Sequence, residues 1–472
     1  MPPRRALAAD RGPGLEAALE KLGFVAEDHP AGTAWVRRAA VDLGPFLAAA
    51  AAPAPVSTDG LLRLAAGGAH DPPSGVEPRA ITVLDIETLG LRGSGVVAFL
   101  VGLGVPRGDE LEVQQLLLAD LDAETALLQA LLRRLDTTRL LATYNGRTFD
   151  VPVLRARCIV NRVDPAPFEQ PVHCDLLAPV RRLFRDRMGA CTLRQAEQLL
   201  LALHREDDCP GSEAPDRYRT WLRGGDAAVV EGVVRHNELD LAATMVLAAR
   251  LAAHVEGALV EPVHPADRYR LGIHLERAGG VAEDVDSHYR AALHRGAGPW
   301  DRHAGLRLAR RRARRGGEEG LREARAVLVP LWRRDPADLQ AGRVLAITLE
   351  RLHDLEAAAR VCEEALAACA GLGRWRLERM RGAPPEGWVA SWERRLARLG
   401  RRRSRLERRP VRRRAQIPPP VGVGEGAAAA GLGEAELPFV FANWSNGICQ
   451  SPSPSSAPAT REVFLTTTMS PR

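Results

Sequence analysis

The stretch Ile81 to Thr88, reading Ile-Thr-Val-Leu-Asp-Ile-Glu-Thr, constrains this chain more than any other. Four apolar or β-prone residues run directly into two carboxylates, Asp85 and Glu87. Alternate side chains of an extended strand share a face, so both acids point the same way. A buried apolar strand has no structural use for two like charges side by side. A hard divalent cation such as magnesium or manganese removes the repulsion by taking carboxylate oxygens. Asp-x-Glu at a strand end is by itself most often a rim pair, so its weight depends on acids that arrive downstream.

Two such acids follow. Asp150 comes just after a predicted strand, in Tyr144-Asn145-Gly146-Arg147-Thr148-Phe149-Asp150. Asp240 lies in the strongly helical segment Ala227 to His254, within His236-Asn237-Glu238-Leu239-Asp240. The i, i+4 spacing puts His236 and Asp240 on one helical face, so an imidazole and a carboxylate can address one point. Singly, each acid reads as a solvated group and His236 as a capping or helix-surface residue; together they make four carboxylates and one base.

The pattern around them reads β-β-β-α-β-α. After the first strand, Val96–Val105 and Leu111–Leu118 are β-rich and joined by the turn-forming Pro106-Arg107-Gly108-Asp109. Asp122 caps a helix with apolar residues at Ala126, Leu127, Ala130, Leu131 and Leu135. Leu140–Tyr144 is a fourth strand, Val151–Ile159 a helix, Val172–Leu176 a short fifth strand and Leu193–Leu201 a helix; His204–Pro215 is a polar loop. Asp175 reads either as a fifth acid or as the N-cap of Leu176–Phe184, and Arg181 and Arg182 either as phosphate contacts or as exposed helix residues. This order predicts an α/β fold with a mixed sheet flanked by helices.

The chain's 472 residues exceed one ordinary core. Residues 1–79, rich in Ala, Pro and Gly, read as a partly disordered leader with a short helix at Gly14–Leu22 and an apolar stretch at Leu43–Ala52 among breakers. Residues 80–256 form the α/β domain. From Asp267 to Cys369 three helix pairs recur every 35 to 38 residues: Tyr269–Ala278 with Ala282–His294, His303–Arg314 with Glu318–Arg333, and Leu339–Leu352 with Glu356–Ala368. That period is near the ~34 of tetratricopeptide repeats, which places an all-α domain at 262–400; an irregular bundle is the alternative. Residues 401–472, Arg-rich and then Pro/Ser-rich, read as a disordered tail.

Charge sharpens the picture. The formal charge of +6 is carried by the segment 394–414, with twelve arginines and one glutamate, which leaves the rest of the chain at −5. The basic run is a nonspecific phosphate binder or a solubilising segment and is separate from the acids. Seven cysteines without a Cys-x-x-Cys pair exclude a disulfide framework and a zinc ribbon, and the adjacent His173 and Cys174 lack zinc-site spacing. No apolar run suits a membrane span or signal peptide, which predicts a cytoplasmic protein without a membrane partner.

Asp85-Ile86-Glu87-Thr88, Asn145-Gly146-x-x-Phe149-Asp150 and His236-x-x-x-Asp240, in this order, resemble the three motifs of the DEDD 3′-5′ exonucleases of the ribonuclease H-like fold. The segments Asp175-Leu176-Leu177, Arg181-Arg182-Leu183, Cys191-x-Leu193 and Asp208-Cys209-Pro210-Gly211 narrow the resemblance to YprB-like ribonuclease H-like proteins, some of which carry tetratricopeptide repeats. The resemblance spans about Arg79 to Glu256. It implies that Asp85, Glu87, Asp150 and Asp240 hold two Mg2+ or Mn2+ ions around a scissile phosphate, with His236 orienting or deprotonating the attacking water. Thr88, Asn145 and Phe149 would lie at the substrate end, Phe149 stacking on a terminal base or supporting the motif. His236 precedes Asp240 by four positions, where the histidine subgroup has five and the tyrosine subgroup four. The implied activity is exonucleolytic hydrolysis of DNA or RNA, with the helical repeats available to a protein partner; the rival is a noncatalytic nucleic-acid-binding scaffold on the same fold.

Overall fold

The computed structural model describes residues 14–407, apart from 55, 67–74, 91–94, 206–207, 225, 260–263, 294–298 and 385, together with 463–464. Two compact units divide the chain after Asp354. The first begins with α1 (Gly14–Lys21), β1 (Phe24–His29), β2 (Gly32–Asp42), α2 (Gly44–Ala49) and α3 (Thr58–Ala65). Then come β3 (Ile81–Leu89), β4 (Val97–Arg107), β5 (Glu110–Leu117), α4 (Glu124–Leu135), β6 (Leu140–Thr143), α5 (Asp150–Val160), β7 (Val172–Asp175) and α6 (Leu177–Met188). The short α7 (Leu193–Ala196) passes into a π-helical turn at Glu197–Leu201, followed by β8 (Leu203–His204), α8 (Ala214–Leu222) and α9 (Ala228–Glu256).

Seven strands form one mixed sheet in the order β1-β2-β5-β4-β3-β6-β7. β3 is antiparallel to β4 and parallel to β6, which is parallel to β7. Parallel neighbours need a crossover, and α5 supplies it between β6 and β7. The β4–β5 connection is tighter than the four-residue turn expected from sequence: Arg107 already pairs with Glu110, and Gly108 takes the positive φ that a two-residue hairpin turn demands.

Both faces of the sheet are covered. Residues of α2, α3, α6 and α9 bury one face, with Ile81 and Val83 of β3; residues of α1, α4, α5 and α8 bury the other, with Leu84 and Ile86. Asp85 and Glu87 continue the alternation of Ile81 and Val83 and so share the face on which α9 lies.

The leader corrects the sequence reading. β1 and β2 are integral strands, and β2 pairs with β5 from Trp35–Leu117 to Asp42–Glu110. An uncovered β5 would present a row of unpaired backbone groups, and β2 satisfies them. Phe24, Ala34 and Val36 are buried in the core under α4. Arg37-Arg38-Ala39-Ala40 breaks the alternation that would have revealed the strand.

The rest of the first unit is helical: α10 (Pro265–Arg277), α11 (Ala282–Leu293), α12 (Pro299–Arg315), α13 (Gly317–Arg334) and α14 (Leu339–Arg351), each packed on the next. These bounds lie close to the helices read from periodicity. The second unit holds α15 (Leu355–Leu372), α16 (Arg374–Arg379) and α17 (Trp388–Glu407), with α15 against α17. α17 is a second correction, since Arg401–Glu407, expected to be disordered, continue a helix anchored by buried Trp388, Trp392 and Leu399. The remainder of the Pro/Ser-rich tail, apart from 463–464, lies outside the described residues. No described helix is long and apolar enough to cross a membrane. Cys158, Cys174, Cys191, Cys209, Cys362 and Cys369 are free and buried, and His173 bonds Thr143 Oγ1 at 2.9 Å.

If the leader is part of the core, Phe24→Ala should cost about 3–5 kcal/mol, the usual loss for a buried phenylalanine. Urea unfolding followed by circular dichroism measures it; an unchanged midpoint would mean a loosely docked leader.

Candidate active site

The site is built where β3 meets α9. Register shifts between Glu87 and Thr88, where Phe99 of β4 is the extra residue, so the β3–β4 ladder is irregular directly at the acids. Bulges re-aim side chains and recur beside functional sites. Asp150, the first residue of α5, lies close enough to β3 for the backbone of Ile86, between the two β3 acids, to favour its charged form. Asp240 enters from α9, and its charge acts on Asp85, Glu87 and Asp150 alike. The four acids named from sequence therefore converge.

Asp85 is oriented by a relay of hydrogen bonds. Asn237 donates from Nδ2 to Asp85 Oδ2 at 2.8 Å, and Gln115 Nε2 donates to Asn237 Oδ1 at 2.9 Å. Arg37 then donates to Gln115 Oε1 at 2.7 Å and to Glu238 Oε2 at 2.6 Å. The relay joins β2, β5, α9 and β3, so the leader reaches the site through two side chains. Gly102, the register partner of Asp85, is what admits Asn237: a Cβ there would lie 2.2 Å from Asn237 Oδ1.

His236 has a partner absent from the sequence reading. Its Nδ1 donates to Asp208 Oδ1 at 2.8 Å, while Nε2 faces Asp240 Oδ2 at 3.6 Å and Glu87 Oε1 at 3.9 Å. An ionised carboxylate only accepts, so Asp208 fixes the tautomer and leaves Nε2 directed at the acids. Arg205 forms the other wall. It donates to Asp240 Oδ1 at 2.5 Å and to Asp208 Oδ2 at 3.1 Å, and it pairs with Glu197 at the π-helical turn.

Electrostatics follow from this crowding. Burial, then the charges of Asp240, Asp150 and Glu87, hold the Asp85 carboxyl well above its ordinary range. Burial pushes Glu87 up to about 7 against the opposing pull of His236, with Asp240 and Asp150 adding to the rise. Burial also raises Asp150 to about 7, despite backbone donors that include Ile86. Burial disfavours protonated His236, yet the Asp208 hydrogen bond and the charges of Asp240, Asp208 and Glu87 outweigh it and raise its pKa. At Asp208 burial is outweighed by the hydrogen bonds and charges of His236 and Arg205, which lower its pKa.

Asp85, Glu87 and Asp150 are hard oxygen donors with, among the described residues, no cationic side chain paired to them apart from the 3.9 Å approach of His236 to Glu87, and that chemistry fits a hard divalent cation. Among the described residues no three His, Cys, Asp or Glu side chains form a ready coordination shell. Two of the acids face other partners, Asp240 toward Arg205 and Asp85 toward Asn237.

The remaining predicted residues lie along the rim. Thr88 donates to the Gly90 carbonyl at 2.9 Å. Asn145 has φ 71° and accepts from Thr148 Oγ1 at 2.8 Å. Phe149 is half-buried against the core beneath α4 and α5. Asp175 accepts the backbone N–H groups of Asn145, Arg147 and Leu177, so it holds the turn and starts α6, which is the structural role. Arg37, Gln115, Glu197, Arg205, Asp208 and Asn237 were not given site roles by sequence; only Asp208 and Asn237 sit in motifs that could have signalled them.

A family model agrees with this fold. Residues 82–252 match the family model of the RNase_H superfamily. This segment is ribonuclease H-like. The chain is 31% identical over 188 residues to the Bacillus subtilis (strain 168) protein named Uncharacterized protein YprB, over 40% of this chain and 45% of that protein. Less than half the length of that relative is therefore spanned. Among solved structures, the family B DNA polymerase of the hyperthermophilic archaeon Pyrobaculum calidifontis matches at 14% identity with a TM-score of 0.30, over 43% of this chain and 30% of that one.

The ribonuclease H-like domain makes a direct prediction at Gly102. Gly102→Ala should displace Asn237 and cost about 1–3 kcal/mol, as overpacking does; a thermal melt against wild type reads it, and equal midpoints would remove Gly102 from the support of Asp85.

Proposed function

We propose that the chain is a metal-dependent nuclease that hydrolyses phosphodiester bonds, acting as a 3′-5′ exonuclease of the DEDD class with two Mg2+ or Mn2+ ions. The observation that carries this reading is the convergence of Asp85, Glu87, Asp150 and Asp240 beside a register shift in the β3–β4 ladder of a ribonuclease H-like domain. Two cations held by these acids would stabilise the attacking and leaving oxygens of an in-line displacement. His236 takes a proton from the attacking water at Nε2, and Asp208 stabilises the imidazolium that results. Asn237 keeps Asp85 turned toward the site, and Arg205 limits repulsion between Asp240, Glu197 and Asp208. Thr88 and Asn145 border the substrate end, where Phe149 supports the turn that carries Asp150. The domain that acts is 80–256 joined by β1 and β2, and α10 onward form a tetratricopeptide-like region open to a protein partner.

A second reading has one observation in its favour: Arg205 already neutralises Asp240. On that reading the domain is a noncatalytic nucleic-acid-binding scaffold and the guanidinium takes the place of an ion.

Asp85→Asn should lower metal-dependent digestion of 3′- and 5′-labelled DNA and RNA by more than about a hundredfold, beyond the loss typical of a residue one shell further out. Equal activity contradicts the site. Calorimetric titration of the wild type with Mn2+ separates the two readings, because the scaffold predicts no binding at micromolar to millimolar concentration.

A further inference from the structure

α6 and α10 pack against each other, and where their outer faces meet there is a recess of about 400 Å³. Arg181, Arg182 and Arg185 line it from α6, and Arg270 and Arg277 from α10. Five guanidiniums thus surround one carboxylate, that of Asp186, which pairs with Arg270. No carboxylate among the described residues pairs with the other four arginines. Arg182 is half-buried and instead donates to His274 Nδ1 at 3.3 Å. His274 adds no charge, because burial and the charges of Arg182 and Arg277 hold its pKa down to about 4.

Exposed arginines on a helix are ordinarily solvated, and Arg181, Arg185 and Arg277 alone would be read so. Arg182 differs: it is drawn into a recess toward further positive charge without a counter-ion. Burial and the Arg277 charge both disfavour its protonated form. An anion that entered would relieve this repulsion, and phosphate oxygens match the planar donor fork of arginine.

Position indicates which anion. α6 starts two residues after Asp175, the carboxylate that holds the Asn145–Arg147 turn beside the acids. At 1.5 Å per residue, Arg181 to Arg185 lie on the order of 10–15 Å along the chain axis from that turn. The Arg181 charge also reaches Tyr144, which directly precedes the turn. The positive recess therefore lies on the helix that begins beside the site, at a distance a short stretch of strand spans.

We propose that the recess between α6 and α10 is a phosphate subsite that holds the sugar–phosphate backbone of the nucleic-acid strand whose end lies at the acids. The proposal rests on the nuclease reading and gives the first helix after the ribonuclease H-like domain a share in substrate binding.

The test uses the full chain and a triple variant, Arg181→Gln, Arg185→Gln and Arg277→Gln, all at exposed positions, beside the same three positions changed to lysine. Fluorescence anisotropy with labelled single-stranded DNA and RNA in EDTA is measured across a salt series, with thermal melts as the check on folding. The glutamine variant should bind at least about tenfold more weakly, and its log K against log salt slope should shrink by about 2, at about 0.7 per phosphate contact on a single strand. The lysine variant should retain most of the slope, which a merely structural role of the arginines would not produce. An unchanged slope in the glutamine variant overturns the proposal, as does arginine-dependent binding of inorganic phosphate without binding of oligonucleotide. Cleavage by the wild type with an unchanged slope sinks only the subsite. Lack of any metal-dependent cleavage with the slope lost sinks only the nuclease reading.

Discussion

Crowding of like charge beneath α9 is the constraint on which the rest depends. Two carboxylates about 4 Å apart repel by about 4 kcal/mol in the effective dielectric of a protein surface, against a total stability of about 5–15 kcal/mol for a domain. A fold that gathers Asp85, Glu87, Asp150 and Asp240 must protonate them, pair them or supply a cation. The first two answers are present, and the donor chemistry suits the third. Glu87 and Asp150 are pushed up to about 7, Arg205 takes Asp240, and the β3 acids keep an oxygen-rich face suited to a divalent ion.

The sheet is arranged to bear that cost. β3 lies inside it, held by β4 on one side and β6 on the other, so the acids are carried on a strand that cannot swing away. From β2 the relay through Arg37, Gln115 and Asn237 fixes Asp85 with neutral and cationic donors. Such a chain orients an acid without consuming all of its oxygens, which leaves it able to bind something else. From the other side, Asp208 does the same for His236.

Beyond the acids, charge changes sign. The arginines of α6 and α10 collect in one recess, so the helical region begins with residues that share a charged pocket with the domain before it. The basic run near the C-terminus is a different feature: its described part lies on α17, in the other compact unit.

Much of the site was legible in the chain itself. Period-two apolar residues ending in Asp85 and Glu87, Asn145 to Asp150 after a strand, and the i, i+4 pair of His236 and Asp240 are local patterns, and local patterns survive in sequence because neighbouring residues share an element. The helices from α10 to α15 were legible for the same reason. The strands β1 and β2 were not, because Arg37-Arg38-Ala39-Ala40 carries no alternation and the strand forms only when β5 offers its edge. Arg205, Glu197, Gln115 and Arg37 were equally silent, since each acts on a partner up to about two hundred residues away and no spacing rule links them. Sequence alone therefore determined which elements form and which acids they carry. Tertiary structure decided what surrounds those acids, because burial and charge–charge energy depend on distance in space, which the order of residues does not contain.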